Sequence, residues 1–462
     1  MRVLLIVYDN DSYIHCFPLG LAYVASALRN AGHSVAIYNQ DQFHYAESHL
    51  VDYLTNNHFD VVGLGVIGGY YQYRKLLEIS EAVNSVPNRP VFVLGGHGPS
   101  PEPEYFLSKT KADVIVIGEG DATIVALLDV LENRESLSEV DGIAYLDGGR
   151  VVLTRRRELV KDLDSIPFPA WDLFPMDYYS LIRLPHIENS ERAFPVLSGR
   201  GCPFRCNFCY RMDEGIRTRS SESVIEEIQM LQRDYAISYI DFWDELLMSS
   251  PERIVTLCEA LIKANLGIKW LCNGRLNYAK PELLRLMKRA GCVFINYGIE
   301  SMDDHMLKVM KKNLTTDQIV RGIEATLAEG ISPGFNIIFG NIGETPAILR
   351  KGVEFLLKYD DHTQLRTIRP VTPYPGSDLY YHAIENGLLE DCADFYERKH
   401  VNSDLLAVNF TDLSDDEFHR VLFEANKTLL EEYYRHQLER MTGVAEKLYL
   451  GKDSSFRGFR QT

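Results

Sequence analysis

Short apolar runs alternate with amphipathic stretches through the first third of the chain. RVLLIVY (2–8), SVAIYN (34–39), DVVGLGV (60–66), PVFVLGG (90–96) and DVIVIGEG (113–120) are apolar segments of strand length. PLGLAYVASALRNAGH (18–33) has helical spacing, with Pro18 near its start and Gly32 closing it. Continuous apolar strands separated by helices are the pattern of a parallel sheet covered on both faces. Residues 1–140 are therefore expected to form a Rossmann-like doubly wound domain, which would bind its ligand beyond the carboxyl ends of its strands.

Residues 141–190 read as an ordered, extended connector, because LDSIPFPAWDLFPMDYYSLI (163–182) mixes prolines with aromatics. From AFPVLS (193–198) the alternation resumes. ISYIDFWDE (237–245), IKWLCNGR (268–275), VFINYGIES (293–301), SPGFNIIFGN (332–341) and TQLRTIRPVTPYPGS (363–377) follow as strands, each separated from the next by a helical segment. Such units predict a partial (β/α)6 TIM-type barrel over residues 191–390, with its chemistry at the carboxyl ends of the strands. Asp244, Glu245, Arg275, Glu300 and Ser301 all lie at or just past those ends. Residues 391–462 are read as a helical C-terminal region. SDDEFHRVLFEANKTLLEEYYRHQLERM (414–441) has apolar residues three and four apart, suited to covering part of the barrel or its entrance, and GKDSSFRGFRQT (451–462) reads as a frayed end.

Composition narrows the function. At 462 residues, 46% hydrophobic and 24% charged, the chain has the make-up of an ordinary globular protein. Its apolar runs are too short to span a bilayer, and no leader pattern precedes RVLLIVY, so a cytoplasmic protein is expected. A net charge of -17 argues against nucleic acid as a partner. The basic stretches TRRREL (154–159) and Lys308 to Lys312 read as solvated surface. Of eight cysteines, Cys16, Cys258, Cys272, Cys292 and Cys392 are scattered, as buried small side chains would be.

The other three, Cys202, Cys206 and Cys209, fall in SGRGCPFRCNFCYRM (198–212). Three thiolates do not close a tetrahedral zinc site, and the loop contains no histidine. Thiolates also ligate iron–sulfur clusters, and three of them on a four-iron cluster leave one iron open for chemistry. Arg200 and Arg205 would suit a loop packed against an anionic cluster. The first domain carries GVIGGYYQYRK (65–75), GGHGPSPEPEYF (95–106) and GEGD (118–121) on one edge, where glycines allow backbone to approach a ligand closely. No Gly-x-Gly-x-x-Gly follows the first strand, which disfavours a dinucleotide.

The cysteine spacing, with Phe208 before the last cysteine, is similar to that of the radical S-adenosylmethionine (SAM) superfamily. YGIES (297–301), GFNIIFGNIGET (334–345) and PVTPYPGSDLY (370–380) resemble its fourth-, fifth- and sixth-strand motifs. GGHGPSPEP and GEGD resemble the cobalamin-binding domain that precedes the barrel in one large branch, so the resemblance covers residues 1–390. The Asp-x-His-x-x-Gly loop that gives cobalt a histidine in other cobalamin proteins is missing here. His97 is outside that motif and is not expected to ligate cobalt.

The resemblance implies a [4Fe–4S] cluster on Cys202, Cys206 and Cys209, with SAM on its open iron. It places Phe208 and Tyr210 near the adenine, Asp244 and Glu245 on the SAM ammonium, and Arg275 on its carboxylate. Glu300 and Ser301 would reach the ribose or ammonium, and Gly334, Asn336 and Gly340 would let the fifth strand approach the nucleoside. Cobalamin would lie along Gly68, Tyr70, Tyr71, Gly95, Gly96, His97, Gly118, Glu119 and Gly120. The implied chemistry is reductive cleavage of SAM to a 5′-deoxyadenosyl radical that takes hydrogen from a small-molecule substrate, the electron coming from a donor such as flavodoxin or ferredoxin. Methyl transfer to an unactivated carbon is the leading outcome. The alternatives are a radical elimination or rearrangement with an unused cobalamin domain, and a non-catalytic iron–sulfur sensor or binding protein.

Overall fold

Strands β1 (Arg2–Val7), β2 (Ser34–Asn39), β3 (Val61–Gly65), β4 (Val91–Gly95) and β5 (Val114–Val116) pair in parallel in the order β2-β1-β3-β4-β5. Alternate residues enter opposite cores. Leu4, Ile6, Val62, Leu64, Phe92 and Leu94 face one side, and Val3, Leu5, Val61, Val93 and Val114 face the other. That two-sided burial explains why the strands read as unbroken apolar runs. The strand order reverses at β1 and β3, and the crevice beyond their carboxyl ends is where such sheets take a ligand. The computed structural model describes residues 1–11, 16–453 and 455, so most of the stretch read as a frayed end lies outside the described residues.

The expected connector begins with two further strands. β6 (Ile143–Asp147) and β7 (Arg150–Leu153) extend the sheet antiparallel from β5. They join through Gly148 and Gly149, both at positive φ (54° and 80°), and this Asp-Gly-Gly turn is a hairpin signal. Beyond it the strap packs inward. Trp171, Phe174 and Tyr179 surround Phe17 of the first domain with ring centroids 5.0–5.4 Å away, and Phe194 of the second domain closes the cluster at 4.9 Å.

The second sheet contains β8 (Ala193–Val196), β11 (Tyr239–Phe242), β12 (Lys269–Gly274), β13 (Cys292–Glu300), β14 (Ser332–Phe339) and β15 (Arg369–Pro370), all parallel, in the order β15-β14-β13-β12-β11-β8. Two short strands, β9 (Gly199–Arg200) and β10 (Arg217–Thr218), form a separate antiparallel pair. The six-stranded sheet is an open half-barrel, with β8 and β15 at its edges. Its sixth strand is only two residues long, in a segment where Pro370, Pro373 and Pro375 remove ladder donors.

The intervening helices start as their sequences dictate. Ser220 caps Ser221–Tyr235, Thr315 and Gln318 form a capping box, and Pro251, Pro281 and Pro346 each open a helix. On the inner face, Ala193, Tyr239, Leu271 and Phe294 form an apolar floor. One step nearer the carboxyl ends the same strands present Asp241, Asn273 and Asn296.

The C-terminal region covers both domains. Helix Asp415–Tyr449 lies on the barrel, with Phe418 stacked on Phe339 at 4.8 Å. Phe395, Tyr396 and Val408, with Leu379 and Tyr380 from the end of the barrel segment, instead enter the core of the first domain beside Tyr73 and Phe106. Among the described residues no helix is long and apolar enough to cross a membrane.

Candidate functional site

The three cysteines sit on a loop whose base is clamped by β9 against β10, with Arg200 opposite Arg217. Asn207, within the cysteine motif, is buried and anchors the loop. Its N–H donates to the Met310 carbonyl at 3.1 Å, and its side chain exchanges two amide hydrogen bonds with Asn341, each 3.1 Å. The three thiols are free of disulfides. A hydrogen bond from Cys209 holds the Cys206 thiol well below its usual range, helped by the nearby Lys312 ammonium, whereas burial pushes Cys202 up. Arg275 also lies close enough for its charge to act on Cys202 and Cys206. Three thiols on one loop, with two cations beside them, fit an anionic thiolate-bound cluster.

The rim residues are held in different ways. Asp244 is committed to the protein. It accepts from the backbone N–H and hydroxyl of Ser198, both at 2.7 Å, and forms an ion pair with Arg253. Glu245 turns toward the cysteine loop, where the Gly201 N–H donates to it, and loss of water around its carboxyl there raises its pKa. Arg275 lies 3.5 Å above the Phe204 ring and donates to the carbonyls of Lys312 and Asn313, and its buried Nε has no protein partner among the described residues.

Glu300 accepts from the Lys312 ammonium at 2.8 Å. It does so from a left-handed backbone, φ 66°, at an irregularity in the β13–β14 pairing. That conformation costs a non-glycine residue about 1 kcal/mol or more. A Cβ on Gly298 would lie 2.4 Å from the Glu300 carboxylate, so this glycine makes room for the pair. The neighbouring Ser301 hydroxyl is buried without a partner among the described residues. Lys312, read from the sequence as solvated, is therefore a buried member of the rim; the signal it offered was its place shortly after the Glu300 strand.

Asn336 is exposed on the inner face and begins a ladder of carboxamides. It donates to Asn296 Oδ1 at 2.9 Å, Asn296 donates to Asn273 Oδ1 at 3.1 Å, and Asn273 donates to the Asp244 carbonyl at 2.9 Å. A Cβ at Gly334 would lie 2.5 Å from Asn296 Oδ1. Other expected contacts pack against protein. Phe208 joins the first domain's core cluster, and Tyr210 meets His97 edge-on at 6.1 Å. Gly340 leaves room for Phe418, whose ring would be 2.6 Å from an added Cβ.

On the first-domain edge, Gly68 faces Tyr396 and Tyr374, and Gly96 faces the Val66 carbonyl. Gly95 meets only Val116 at ordinary contact distance. His97 is exposed on this edge. Tyr70 meets His400 of the C-terminal region edge-on at 6.4 Å, and Tyr71 lies near Lys75 and Asp11. Glu119 pairs with Arg217, and Asp121 pairs with Arg200 at 2.6 Å, so the GEGD loop clasps the base of the cysteine hairpin. Arg200 and Arg205, expected against a cluster, instead meet carboxylates, Arg205 pairing with Glu214 at 2.9 Å. Gly120 opens the following helix, and the α-carbon of Gly118 looks into nearly open space. Ile67, just past β3, leaves half its surface uncovered. The crevice at β1 and β3, an uncovered apolar side chain and an open glycine fit a large ligand resting on this edge.

A parallel sheet of order 2-1-3-4-5 docked on a half-barrel, with a three-cysteine loop between them, defines a two-cofactor enzyme architecture. Residues 196–356 match the radical SAM superfamily, and residues 6–128 match the B12 binding domain. A protein named as an uncharacterized methyltransferase from Pyrococcus horikoshii is 30% identical over 401 residues, covering 84% of each chain. The anaerobic magnesium-protoporphyrin IX monomethyl ester cyclase of Rubrivivax gelatinosus is 29% identical over 79% of this chain and 65% of its own. Among solved structures, the radical SAM methyltransferase TsrM from Kitasatospora setae, with cobalamin and a [4Fe–4S] cluster bound, superposes with a TM-score of 0.67 at 18% identity, over 83% of this chain and 75% of its own. The chain belongs to the radical SAM enzymes that carry a B12-binding domain, and its cofactors are SAM, a [4Fe–4S] cluster and cobalamin.

Proposed function

We propose that the protein transfers a methyl group to a carbon of a small-molecule substrate, using SAM at the barrel rim and cobalamin on the facing edge of the first domain. The observation that carries this reading is the clasp of Arg200 and Arg217 on Asp121 and Glu119, which ties the cysteine hairpin to the first domain's strand ends. Cys202, Cys206 and Cys209 would hold the cluster. Of the two adjacent acids, Glu245 would accept from the SAM ammonium, because Asp244 is already occupied by Ser198 and Arg253. Arg275 and the Glu300–Lys312 pair keep fixed charge beside the thiols. When bound, the cluster and SAM supply a hydrogen-abstracting radical, and cobalamin supplies the methyl carrier. The covered floor keeps bulk water from the barrel's interior. A small electron-transfer protein such as flavodoxin or ferredoxin would supply the reducing electron.

The likeness to the protein named methyltransferase supports methyl transfer. The likeness to a protein named cyclase supports a second reading, a radical ring closure or rearrangement without methyl transfer. The test uses anaerobically reconstituted, cobalamin-loaded protein, reduced and given SAM whose methyl group carries deuterium, together with a metabolite extract. Appearance of a product three mass units heavier than its unlabelled counterpart supports methylation. A new product without label overturns it in favour of rearrangement.

A further inference from the structure

The half-barrel's inner face has an unusual middle layer. Asp241, Asn273, Asn296 and Asn336 stand on four neighbouring strands, above the apolar floor and below the charged rim. All four escape full burial, so they face an opening. Asp241 accepts from the Trp243 indole at 2.7 Å through Oδ2, and its Oδ1 has no protein donor among the described residues. The carboxamide ladder uses one N–H of each asparagine, leaving the second N–H of each and the Asn336 oxygen for a ligand. Neighbouring strands are about 4.8 Å apart, close to the spacing of hydroxyls two carbons apart on a ring.

Charge around this layer has one sign. The cations near it are engaged: Arg253 with Asp244, Lys312 with Glu300, Arg275 with two backbone carbonyls, and Arg366 with Asp360 at 3.3 Å and the Pro333 carbonyl at 3.1 Å. One first-domain acid, Asp41, lies near this layer through Cys16. Cys16 lies near enough to both Asp241 and Asp41 for their charges to reinforce the effect of burial, which pushes its thiol up to about 11.

We propose that the barrel's middle layer is a substrate site for an amine-bearing, hydroxyl-rich small molecule, with Asp241 pairing the ammonium and the Asn273–Asn296–Asn336 ladder bonding the hydroxyls. This assignment rests on the barrel being the substrate chamber of the proposed reaction. It selects against phosphate and carboxylate, because among the described residues the cations beside this layer already meet protein oxygens. Asp241, with a carboxyl raised to about 6 by burial, is charged at neutral pH and available to an ammonium partner.

The test measures binding, so that it fails independently of the chemistry. Reconstituted holoenzyme with SAM is titrated calorimetrically with glucosamine, glucose and glucose 6-phosphate as probes. Glucosamine is expected to bind about tenfold more tightly than glucose, as one charge-assisted hydrogen bond allows, and glucose 6-phosphate more weakly than either. Asp241→Asn, which keeps the size and the indole contact, is expected to abolish the preference for the amine while leaving glucose affinity within about twofold. Asn336→Ala, at an exposed position, should weaken both neutral and amino sugars together by roughly three- to tenfold. The proposal is overturned if glucose 6-phosphate binds as well as glucosamine, if Asp241→Asn leaves the preference intact, or if no probe binds at millimolar concentration. Uncoupled cleavage of SAM by Asp241→Asn, measured in the same preparations, reports separately on the proposed reaction.

Discussion

At the barrel rim, Asp244, Arg275 and Glu300 are each fixed by protein partners; at the facing edge of the first domain, the loops after β3, β4 and β5 present glycines, an uncovered Ile67 and few charges. The two acids in the last of these loops, Glu119 and Asp121, are taken up by arginines of the cysteine hairpin. The contrast fits the occupants proposed for each edge. A small charged cofactor at a reacting cluster needs charges already in place, since reorienting them during reaction costs energy. A large ligand lying across strand ends is held by shape and by backbone, which glycines leave accessible.

The largest expected effect breaks the rim alone. Replacing Cys202, Cys206 or Cys209 with Ala should remove bound iron and abolish 5′-deoxyadenosine formation, whereas Cys258→Ala should preserve both; iron analysis and product chromatography decide it. Next, Glu245→Ala should weaken SAM binding by about a hundredfold through loss of a charged partner, while Asp244→Asn should act mainly on stability. Equal losses of SAM affinity in the two variants would contradict the distinction between a free and a committed acid.

Separating the two edges comes third. Arg200→Ala leaves Asp121 without its main partner in a largely buried pair and should cost about 3 kcal/mol in denaturant unfolding. A loss within measurement error would show that the domains dock without the clasp. On the other edge, Ile67→Glu should weaken cobalamin binding by roughly tenfold with iron content unchanged, because it places a charge on an apolar support.

The smallest effect is a pH dependence at the end of β14. Glu344 is buried beneath the Gly340 and Asn341 N–H groups, at 2.9 and 3.1 Å, and burial raises its pKa from 4.5 to about 7. Between those values the folded chain keeps a proton that the unfolded chain releases. Stability therefore falls as pH rises from 4.5 to 7, by about 3 kcal/mol. Glu344→Gln should flatten that slope in melting curves of the apoprotein; an unchanged slope would assign it to other groups.

The same contrast explains what could be read before the fold was known. The cysteine loop and the strand-end acids were legible because their order in the chain is their order in the barrel. Both sheets were legible from apolar runs, since burial on both faces leaves an uninterrupted signal. Partnership was not legible. Asp244 and Glu245 are adjacent in sequence, yet only the fold gives Arg253 to one and leaves the other facing the cysteines. Lys312 looked like surface charge because nothing local shows that a left-handed Glu300 turns its carboxylate toward it. The entry of Phe395 and Tyr396 into the first domain's core is likewise a contact across most of the chain's length. The β6–β7 hairpin is different, since its Asp-Gly-Gly turn was visible in the sequence and was absorbed into the connector.

The central claim is that both edges serve one reaction, and counting the two fates of SAM tests it most directly. Reduced, cobalamin-loaded enzyme turning over its substrate should form S-adenosylhomocysteine and 5′-deoxyadenosine in comparable amounts, with Ile67→Glu lowering the former far more than the latter. Substrate-dependent 5′-deoxyadenosine with no S-adenosylhomocysteine would contradict the account.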